Sequence, residues 1–498
     1  MIGTVTLVGA GPGGRELLTL AGAAAIRQAD AVVYDRLVDG DILCLLPPGA
    51  VRVDAGKQAG NHPMPQDEIN ATLVRLAKQG KNTVRLKGGD CYLFGRGGEE
   101  CEHLRANGVP FRVIPGVTSA LAAPAFAGIP VTHRDYCSSV HFITAHARAG
   151  QTPSIDYAAL VRLDGTLVFL MGLGALEQVT QGLLDAGIDP AMPAAVIENG
   201  ARGSQRKVVD TVRGLAAQVR AAGLGSPALI VVGRVCGLSD ALDWFTPLPL
   251  HGKTVVVTRP RERAGTLSAR LRTLGANVVE APCIETVENE DTALLRAALG
   301  HSYDWAVFTS PAGVHAAVHA LGRLGRDLRA LYGMKLAAIG RGTADALAAY
   351  GLTADLVPAQ YDGAHLADAL VEQLPPDGAV LLLRARQGTR VLPEKLLAAG
   401  MVVADVPLYD TVYRCDRADE LRALLARRAV DCVTFTSAST VEGFVRAAGD
   451  APLDGFTALC IGAQTEKAAK DHLMHTITAK NATIDAMLAR LLEEYGNV

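Results

Sequence analysis

Short β-branched and apolar runs alternate with longer stretches of helical period through the first half of the chain. The runs read TVTLVGA, DAVVYD, NTVRLKGG, TLVFLMG and ALIVVGR, and alanine- and leucine-rich stretches separate them up to about Phe245. Short apolar runs bounded by turn residues are typical of buried strands, and strands that alternate with helices are typical of α/β layers. The pattern therefore predicts an α/β fold with mostly parallel sheets.

The segment TPLPLHG, at positions 246–252, interrupts this alternation with two prolines and a glycine, and a new strand-like run, KTVVVTRP, follows at once. Clusters of proline and glycine between ordered runs are typical of linkers. We therefore predict a first domain at 1–245, a linker at 246–252 and a second domain at 253–495.

The second half contains an internal duplication. Its blocks match at a constant offset of 125 positions (for instance 407 − 282), which pairs Gly275 with Gly400, Pro282 with Pro407 and Thr286 with Thr411. FTSPAGV at 308–314 likewise resembles FTSASTV at 435–441, and IGRGTADAL at 339–347 resembles IGAQTEKAA at 461–469. Repeated units stack or face each other, so two α/β lobes with a ligand cleft between them are expected.

Composition narrows the class of protein. The 498 residues are 49% apolar and 20% charged with a net charge of -3, which gives no electrostatic reason to expect nucleic acid. Nine scattered cysteines contain no CxxC pair, and no apolar run approaches the roughly 18 residues of a membrane span. The start lacks the features of a signal peptide. We predict a cytoplasmic protein with reduced thiols, without membrane contact or a metal site.

The first glycine loop, Gly9 to Gly14, satisfies G-x-G-x-x-G between a strand and a helix, and Asp35 ends the next strand. Such a pattern is typical of dinucleotide sites, with the acid on the ribose. From these residues alone the chain could be a flavin- or nicotinamide-dependent oxidoreductase, or the loop could be a tight connecting turn.

The most specific string is VRLKGGDCYLFGRGGEE, at positions 84–100. Its first glycine pair, Gly88-Gly89, permits close approach of the main chain to a ligand, and its second pair precedes acidic residues that are typical of a first helical turn. This pattern indicates a binding loop at the end of a strand.

The string has eight companions in fixed order over residues 1 to about 245: VGAGPG, AVVYDRLV, GK, VIPGVTSA, GIPVTHRDY, LVFLMGL, VIENG and SPALIVVGRV. Together they resemble the uroporphyrinogen-III C-methyltransferase family of tetrapyrrole methylases. The resemblance implies two α/β domains with S-adenosylmethionine in the cleft between them, and not a dinucleotide fold. It also implies two methyl transfers to uroporphyrinogen III, which give precorrin-2 on the route to sirohaem and cobalamin, S-adenosylhomocysteine as product, and a homodimer formed through the first half.

By motif position, the resemblance implies contacts to the methyl donor at Pro12, Gly88, Gly89, Asp90, Leu93, Thr118, Ser119, Met171, Gly200, Pro227 and Ala228. It implies that Asp35 accepts a proton and that Lys57 donates one; the alternative is that Asp35 caps a turn and Lys57 is a surface charge.

Because the substrate carries eight carboxylates, we expect guanidinium groups that bind them bidentately in the cleft. The candidates are Arg36, Arg96, Arg134 and Arg148, each of which could instead be an ordinary surface arginine. Cys91-Tyr92 replaces the family's usual proline and phenylalanine, and a packing substitution is the preferred interpretation.

The second half resembles uroporphyrinogen-III synthase on its TRP start, paired FTS segments, PLYDT and IGAQT blocks. The resemblance implies lobe one at about 253–285 and 412–495, lobe two at about 286–411, and cyclisation of hydroxymethylbilane with loss of water and without a cofactor. Tyr409 is implied to assist that loss; the other repeat has Ile284 there. Ser310, Ser437 and Thr465 could bind substrate carboxylates or simply cap helices. A non-catalytic tetrapyrrole-binding module that regulates the methylase is the alternative for this half.

Overall fold

The first domain is built on a five-stranded parallel sheet of order β3-β2-β4-β1-β5. The computed structural model describes residues 1–47, 49–56, 64–145 and 155–496. The strands are β1 (Val5–Gly9), β2 (Ala31–Tyr34), β3 (Val51–Asp54), β4 (Thr83–Lys87) and β5 (Phe111–Ile114), and the helices are α1 (Leu20–Arg27), α2 (Gly40–Leu43), α3 (Gln66–Lys78), α4 (Gly97–Ala106) and α5 (Ser119–Phe126). Helices on both faces bury the central strands, which explains their nearly continuous apolar runs.

The second domain has a mixed sheet of order β6-β7-β10-β8-β9. Its strands are β6 (Val140–Thr144), β7 (Thr166–Leu170), β8 (Pro193–Glu198), β9 (Arg206–Thr211) and β10 (Ala228–Val232), and its helices are α6 (Tyr157–Arg162), α7 (Leu176–Asp185) and α8 (Leu215–Ala222). β6 and β7 pair in parallel, whereas β10 is antiparallel to both β7 and β8, and β8 and β9 are antiparallel. This one sheet departs from the predicted, mostly parallel arrangement, because the β8–β9 connection forms a hairpin and apolar runs do not encode strand direction.

The second half has ten strands and ten helices among its described residues. The strands are β11 (Thr254–Val257), β12 (Asn277–Glu280), β13 (Ile284–Glu288), β14 (Trp305–Phe308), β15 (Lys335–Ala338), β16 (Ala379–Ala385), β17 (Val402–Tyr413), β18 (Cys432–Phe435), β19 (Thr457–Cys460) and β20 (His475–Thr478). The helices are α9 (Arg261–Thr273), α10 (Ala293–Ala298), α11 (Pro311–Arg323), α12 (Arg341–Ala348), α13 (Gly363–Val371), α14 (Val391–Ala398), α15 (Ala418–Ala426), α16 (Ala438–Ala448), α17 (Ala463–Asp471) and α18 (Ile484–Tyr495).

These strands form two sheets, of order β12-β11-β18-β19-β20 in lobe one and β13-β17-β16-β14-β15 in lobe two. The duplicated segments occupy equivalent positions, since β12-β11-β18-β19 matches β17-β16-β14-β15. The chain leaves lobe one after β12, builds lobe two, and returns before β18, through crossovers at 281–283 and 414–417. The lobe boundaries differ slightly from the predicted ones. Strand β13 pairs with β17 along its whole length, so residues 284–285 and 412–413, predicted for lobe one, lie in the sheet of lobe two.

A buried ion cluster joins the first half to lobe one. The Asp41 carboxylate, in α2, is fully buried and accepts a hydrogen bond from the backbone N–H of Glu280 at 3.0 Å. The guanidinium groups of Arg272 and Arg417 bind the same carboxylate, and Arg15 binds the Glu280 side chain. Because Glu280 ends β12 and Arg417 lies on the second crossover, the first half contacts the second at the junction of its two lobes.

Candidate active sites

Glycine loops meet at the carboxyl end of the first sheet. The N–H of Gly11 donates to the carbonyl of Gly89 at 3.1 Å, and the N–H of Gly89 donates back to Gly11 at 2.9 Å. A Cβ atom on Gly9 would lie 2.8 Å from the Gly89 carbonyl oxygen, and one on Gly116 would overlap that oxygen. Gly89 has a φ of +69°, which favours glycine. The loops after β1, β4 and β5 therefore form a cradle of bare backbone, which suits close approach of a cofactor.

Asp90 holds this cradle together. Its carboxylate accepts hydrogen bonds from the backbone N–H groups of Tyr92 at 2.8 Å and Leu93 at 3.0 Å, in its own loop. Its second oxygen accepts from the N–H of Gly116 at 3.0 Å, in the loop after β5. The side chain of Asp90 therefore fixes the relative position of two loops, and both of its carboxylate oxygens accept hydrogen bonds from backbone N–H groups.

Cys91, the departure from the expected motif, is fully buried in the core of the first domain. Burial, together with the negative charge of Asp90, raises the pKa of its thiol to about 12. A thiol with such a pKa is protonated at neutral pH and is a poor nucleophile. Cys91 therefore packs the loop and supplies no reactive sulfur.

The predicted contacts of the second domain lie at the same end of its three central strands, β7, β10 and β8. β7 and β8 end where β10 begins, and Leu170 pairs with Leu229 while Glu198 pairs with Ala228. This arrangement brings together the segments that contain Met171, Gly200, Pro227 and Ala228. Met171 is half exposed and has a φ of +55°, an uncommon conformation for a residue with a side chain and one that clusters at ligand sites.

α5 connects the two groups of predicted contacts. The Thr118 hydroxyl accepts from the backbone N–H of Ala120 and caps this helix, and the N–H of Ser119 lies 3.8 Å from a Cβ built on Gly89. A Cβ on Gly200, from the second domain, would overlap Ala123 in the same helix. Leu93 packs against the apolar cluster that α5 shares with the second sheet.

Arg202 bridges the two domains and was missed by the sequence interpretation. It donates to the carbonyl of Pro12 at 3.3 Å and to the carbonyl of Leu37 at 3.1 Å. Beside it, a Cβ on Gly13 would lie 2.6 Å from the carbonyl oxygen of Ala201. Because the two carbonyls are 190 and 165 positions away in the chain, no local pattern marks this arginine.

Asp35 sits on a buried charge cluster. Its carboxylate binds Arg85 at 2.6 Å and lies 3.8 Å from the Lys87 ammonium. Glu100, in α4, binds Arg85 at 3.0 Å and Lys87 at 2.9 Å, and these three side chains are buried. In the sequence this strand belongs to an apolar run, and the signal for a polar face is the period-two spacing of Thr83, Arg85 and Lys87. The cluster orients the Asp35 carboxylate, which is about one-third exposed.

The candidate substrate arginines have different surroundings. Arg36 is exposed and follows Asp35 directly, and Arg134 is exposed in the loop before β6. Arg96 has a φ of +59° and binds Glu99 at 2.6 Å. Lys57 and Arg148 lie outside the residues that the structure describes.

A cavity of about 870 Å³ lies between the two halves. Asp35 and Arg36 line it on one side, and the crossovers of the second half line it on the other. Arg52 and Arg414 enter it from opposite halves and both bind Asp416, at 3.3 and 3.0 Å. Since acidic and basic side chains share its wall, the cavity is not a simple anion site.

In the second half, the structure brings Tyr409 and Ser310 together. Their hydroxyl groups are 2.8 Å apart, and the Ser310 oxygen also accepts from the N–H of Gly313 to cap α11. The register between β16 and β17 shifts beside Tyr409, where Arg384 faces Pro407 and Ala385 faces Tyr409. Such irregularities often re-aim a side chain near a functional site.

Ser437 and Thr465 lie in lobe one, in the segments equivalent to those of Ser310 and Thr343. Ser437 accepts from the N–H of Thr440 at 3.2 Å and caps α16, and Thr465 is buried in the first turn of α17. Both follow the carboxyl ends of parallel strands, where open α/β sheets bind ligands. The predicted residues therefore divide between two lobes, one pair in each.

Two further features concern the described residues as a whole. They contain no helix that is both long and apolar enough to cross a membrane. Within the same residues, histidine, cysteine, aspartate and glutamate side chains form no group of three or more that could hold a metal ion.

Comparisons with known protein families give a match for each half of the chain. Residues 4–216 match the family of tetrapyrrole (corrin/porphyrin) methylases, and residues 265–489 match uroporphyrinogen-III synthase HemD. A sirohaem synthase of Escherichia coli O1:K1 is 50% identical over 244 residues, which cover 49% of this chain and 52% of that protein. The chain thus spans about half the length of that relative.

Among solved structures, uroporphyrin-III C-methyltransferase from Thermus thermophilus, complexed with S-adenyl homocysteine, is 38% identical over 47% of this chain and all of that protein, with a TM-score of 0.41. A mutant uroporphyrinogen III synthase from Thermus thermophilus is 22% identical over 48% of this chain and 98% of that protein, with a TM-score of 0.38.

One relative matches the full length. The porphyrin biosynthesis protein HemD of Ruminiclostridium josui is 44% identical over 493 residues, which cover 99% of this chain and 98% of that protein. The chain therefore belongs to the family of this porphyrin biosynthesis protein, and it is a fusion of a tetrapyrrole methylase with a uroporphyrinogen-III synthase.

Proposed function

We propose that the two halves catalyse consecutive reactions. The second half cyclises hydroxymethylbilane to uroporphyrinogen III with loss of water, and the first half transfers two methyl groups from S-adenosylmethionine to uroporphyrinogen III to give precorrin-2. The observation that carries this proposal is the presence of both domains in one chain, together with the full-length relative. The same observation favours a methylase over a dinucleotide-dependent oxidoreductase.

The residues of the first half fit S-adenosylmethionine. When bound, this cofactor supplies an electrophilic methyl group on a sulfonium. The glycine cradle around Gly89 and Gly116 offers bare backbone to it, and the strand ends beside Met171 and Gly200 face the cradle across α5. Methyl transfer needs no metal but does need placement of the acceptor carbon in line with the methyl group, so positioning by rigid loops suits the reaction.

Asp35 is proposed to take up a proton from the pyrrole, or to stabilise its cationic character, as the ring is alkylated. Its ion pair with buried Arg85 supports this role because the carboxylate is held in place while part of it stays exposed. We propose that Arg36, Arg96 and Arg134 bind substrate carboxylates, and that Lys57 returns a proton.

In the second half, Tyr409 is proposed to assist departure of hydroxide from hydroxymethylbilane. The Ser310 hydroxyl, 2.8 Å away, orients the phenol and supports this role. Ser437 and Thr465, in the opposite lobe, are proposed to hold carboxylates of the curled substrate. No cofactor takes part in this step.

We also propose that the protein works in the cytoplasm as a homodimer formed through its first half, and that its product serves cobalamin as well as sirohaem. All nine cysteines lie in the described part of the chain and none forms a disulfide there, which fits a reducing compartment. The dimer follows from the resemblance of the first half to tetrapyrrole methylases. Light scattering of the purified protein should give twice the mass of the 52.0 kDa chain.

The test of the methylase is incubation with hydroxymethylbilane, with and without S-adenosylmethionine, followed by product mass. We expect uroporphyrinogen III when the donor is absent, and a product with two added methyl groups when the donor is present.

Asp35→Asn should lower methyl transfer by about 100-fold or more, the scale of a lost proton-transfer group, with donor binding retained. Asp54→Asn is the matched control, because Asp54 ends the neighbouring strand and lines the same cavity but has no contact with Arg85 among the described ion pairs. Equal effects of the two variants would contradict the role of Asp35.

The test of the synthase uses Tyr409→Phe, which removes one hydroxyl and leaves the buried ring. We expect cyclisation to slow by about 100-fold, with methylation of supplied uroporphyrinogen III unchanged. Tyr413→Phe is the control, since Tyr413 lies on the same strand and its ring stacks against Arg446 without needing the hydroxyl. A wild-type second half that binds hydroxymethylbilane without converting it would favour the non-catalytic module.

A further inference from the structure

Two thiols meet where the lobes of the second half are joined. Cys283 ends the first crossover and Cys415 lies in the second, and the backbone N–H of Arg414 donates to the carbonyl of Cys283 at 3.3 Å. The crossovers therefore continue the antiparallel pairing of Ile284 with Tyr413. Cys283 belongs to the apolar core of lobe one, where its thiol donates to the carbonyl of Ala281 at 3.1 Å, and Cys415 packs against the same core beside it.

The two thiols differ in exposure and acidity. Cys283 is fully buried and Cys415 is partly exposed. The adjacent Cys283 thiol lowers the pKa of Cys415 against the effect of burial, and the backbone N–H and the guanidinium of Arg417 lower this pKa further. The proximity of Cys415 and burial raise the pKa of Cys283. Burial raises the pKa of Cys460, by contrast, to about 12. Cys415 is thus the more reactive thiol and Cys283 its adjacent partner.

We propose that Cys283 and Cys415 are a redox modification site, at which a small-molecule disulfide converts them reversibly to a disulfide that restricts the hinge between the lobes. The Cys415 thiolate attacks one sulfur of the oxidant and expels a thiolate, which gives a mixed disulfide. The Cys283 sulfur then attacks the Cys415 sulfur, gives up its proton to the departing thiolate, and expels the second thiol. Two protein thiols are oxidised, and one small disulfide is reduced to two thiols.

The crossovers at 281–283 and 414–417 are the covalent connections between the lobes. A bond between them would fix their relative torsions, and Arg417 already attaches the second crossover to Asp41 of the first half. A flexible substrate that must be enclosed between the lobes requires hinge motion. Oxidation should therefore remove most of the cyclising activity and leave methylation of supplied uroporphyrinogen III unchanged. This activity effect rests on the proposed synthase function, whereas formation of the disulfide does not.

The experiment treats the reduced full-length protein with bis(2-hydroxyethyl) disulfide and then maps tryptic peptides without reductant. The expected product joins peptide 273–296, which contains Cys283, to peptide 415–417, and is lighter than the two reduced peptides together by two hydrogens, about 2 Da. Cyclisation should fall with the yield of this peptide and return on addition of dithiothreitol. Cys415→Ser should abolish both changes.

Cys44→Ser is the matched control, because Cys44 is also partly exposed but lies in the first half, and it should behave as the parent does. Absence of the linked peptide, or a stable mixed disulfide on Cys415, would overturn the modification site. A linked peptide with full cyclising activity would overturn the restriction of the hinge. An unmodified protein that fails to cyclise hydroxymethylbilane would instead refute the proposed function, with the peptide map still deciding the thiol chemistry. Cys283→Ser should also lack the linked peptide; if this variant does not fold, Cys415→Ser alone carries the test.

Discussion

Replacing Asp41 with alanine should loosen the contact between the two halves. The carboxylate is fully buried and joins three donors of the second half: the guanidinium groups of Arg272 and Arg417 and the backbone N–H of Glu280. Removal of one partner from a buried ion cluster leaves the remaining charges without solvent and without their counter-ion. The variant tests whether this cluster stabilises the assembled chain.

The surroundings set the magnitude. Breaking a buried ion pair costs about 3–5 kcal/mol, and a buried N–H without an acceptor adds about 1–3 kcal/mol when water cannot reach it. Arg272 keeps Glu16 at 2.9 Å, and Arg417 keeps Glu420 at 2.8 Å, so neither cation is left alone. Alanine also leaves space that water can enter. We therefore expect the low end, about 3 kcal/mol, and about half of that for Asp41→Asn, which keeps an acceptor oxygen.

The assay is urea unfolding followed by tryptophan fluorescence. The chain has two tryptophans, of which Trp305 is buried in lobe two and Trp244 is exposed beside Phe126 at the end of the first half. Single-tryptophan variants therefore report each half separately. With a slope of about 3 kcal/mol per M, the loss of about 3 kcal/mol moves the earlier transition down by about 1 M urea and separates the two halves.

Glu102→Ala is the control, because Glu102 is an exposed carboxylate of the first half and surface substitutions usually change stability by less than about 0.5 kcal/mol. If Asp41→Ala shifted neither transition by more than Glu102→Ala does, the cluster would not hold the halves together, and the reasoning from burial would be refuted.

Two other outcomes follow from the same geometry. Gly116→Ala should abolish S-adenosylmethionine binding in calorimetry, because its Cβ would overlap a carbonyl of the facing glycine loop, whereas Gly98→Ala, which points into open space, should bind normally. Burial alone would raise the pKa of Glu288, but hydrogen bonds from Arg323 and His319 outweigh it and hold the pKa below its usual 4.5. A lowered pKa means stability that is present above pH 4.5 and lost as the pH falls through the folded value, so Glu288→Gln should flatten the decline of Tm below about pH 5; an unchanged acid limb would contradict this.

The sequence by itself determined the local elements and the family. Strand and helix periods depend on which face of each element is buried, so apolar runs indicated the α/β layers without knowledge of their neighbours. The offset of 125 between Pro282 and Pro407 indicated a duplication, and the two sheets carry its segments at equivalent positions. Glycine spacing indicated the cradle around Gly89, because only glycine permits those backbone contacts.

The tertiary structure alone decided which distant residues meet. A run such as β10 has the same apolar pattern whether it pairs in parallel or antiparallel, so the mixed second sheet could not be derived. Arg85 meets Glu100 because α4 folds back on β4, and Asp41 meets Arg417 across 376 positions. A charge can be buried without a large free-energy cost only when a counter-ion packs against it in the folded protein. The local sequence around each charge does not indicate which residue that counter-ion is. For this reason the motif residues were visible in the sequence, whereas the pairing of the charges that hold Asp35 and join the two halves was not.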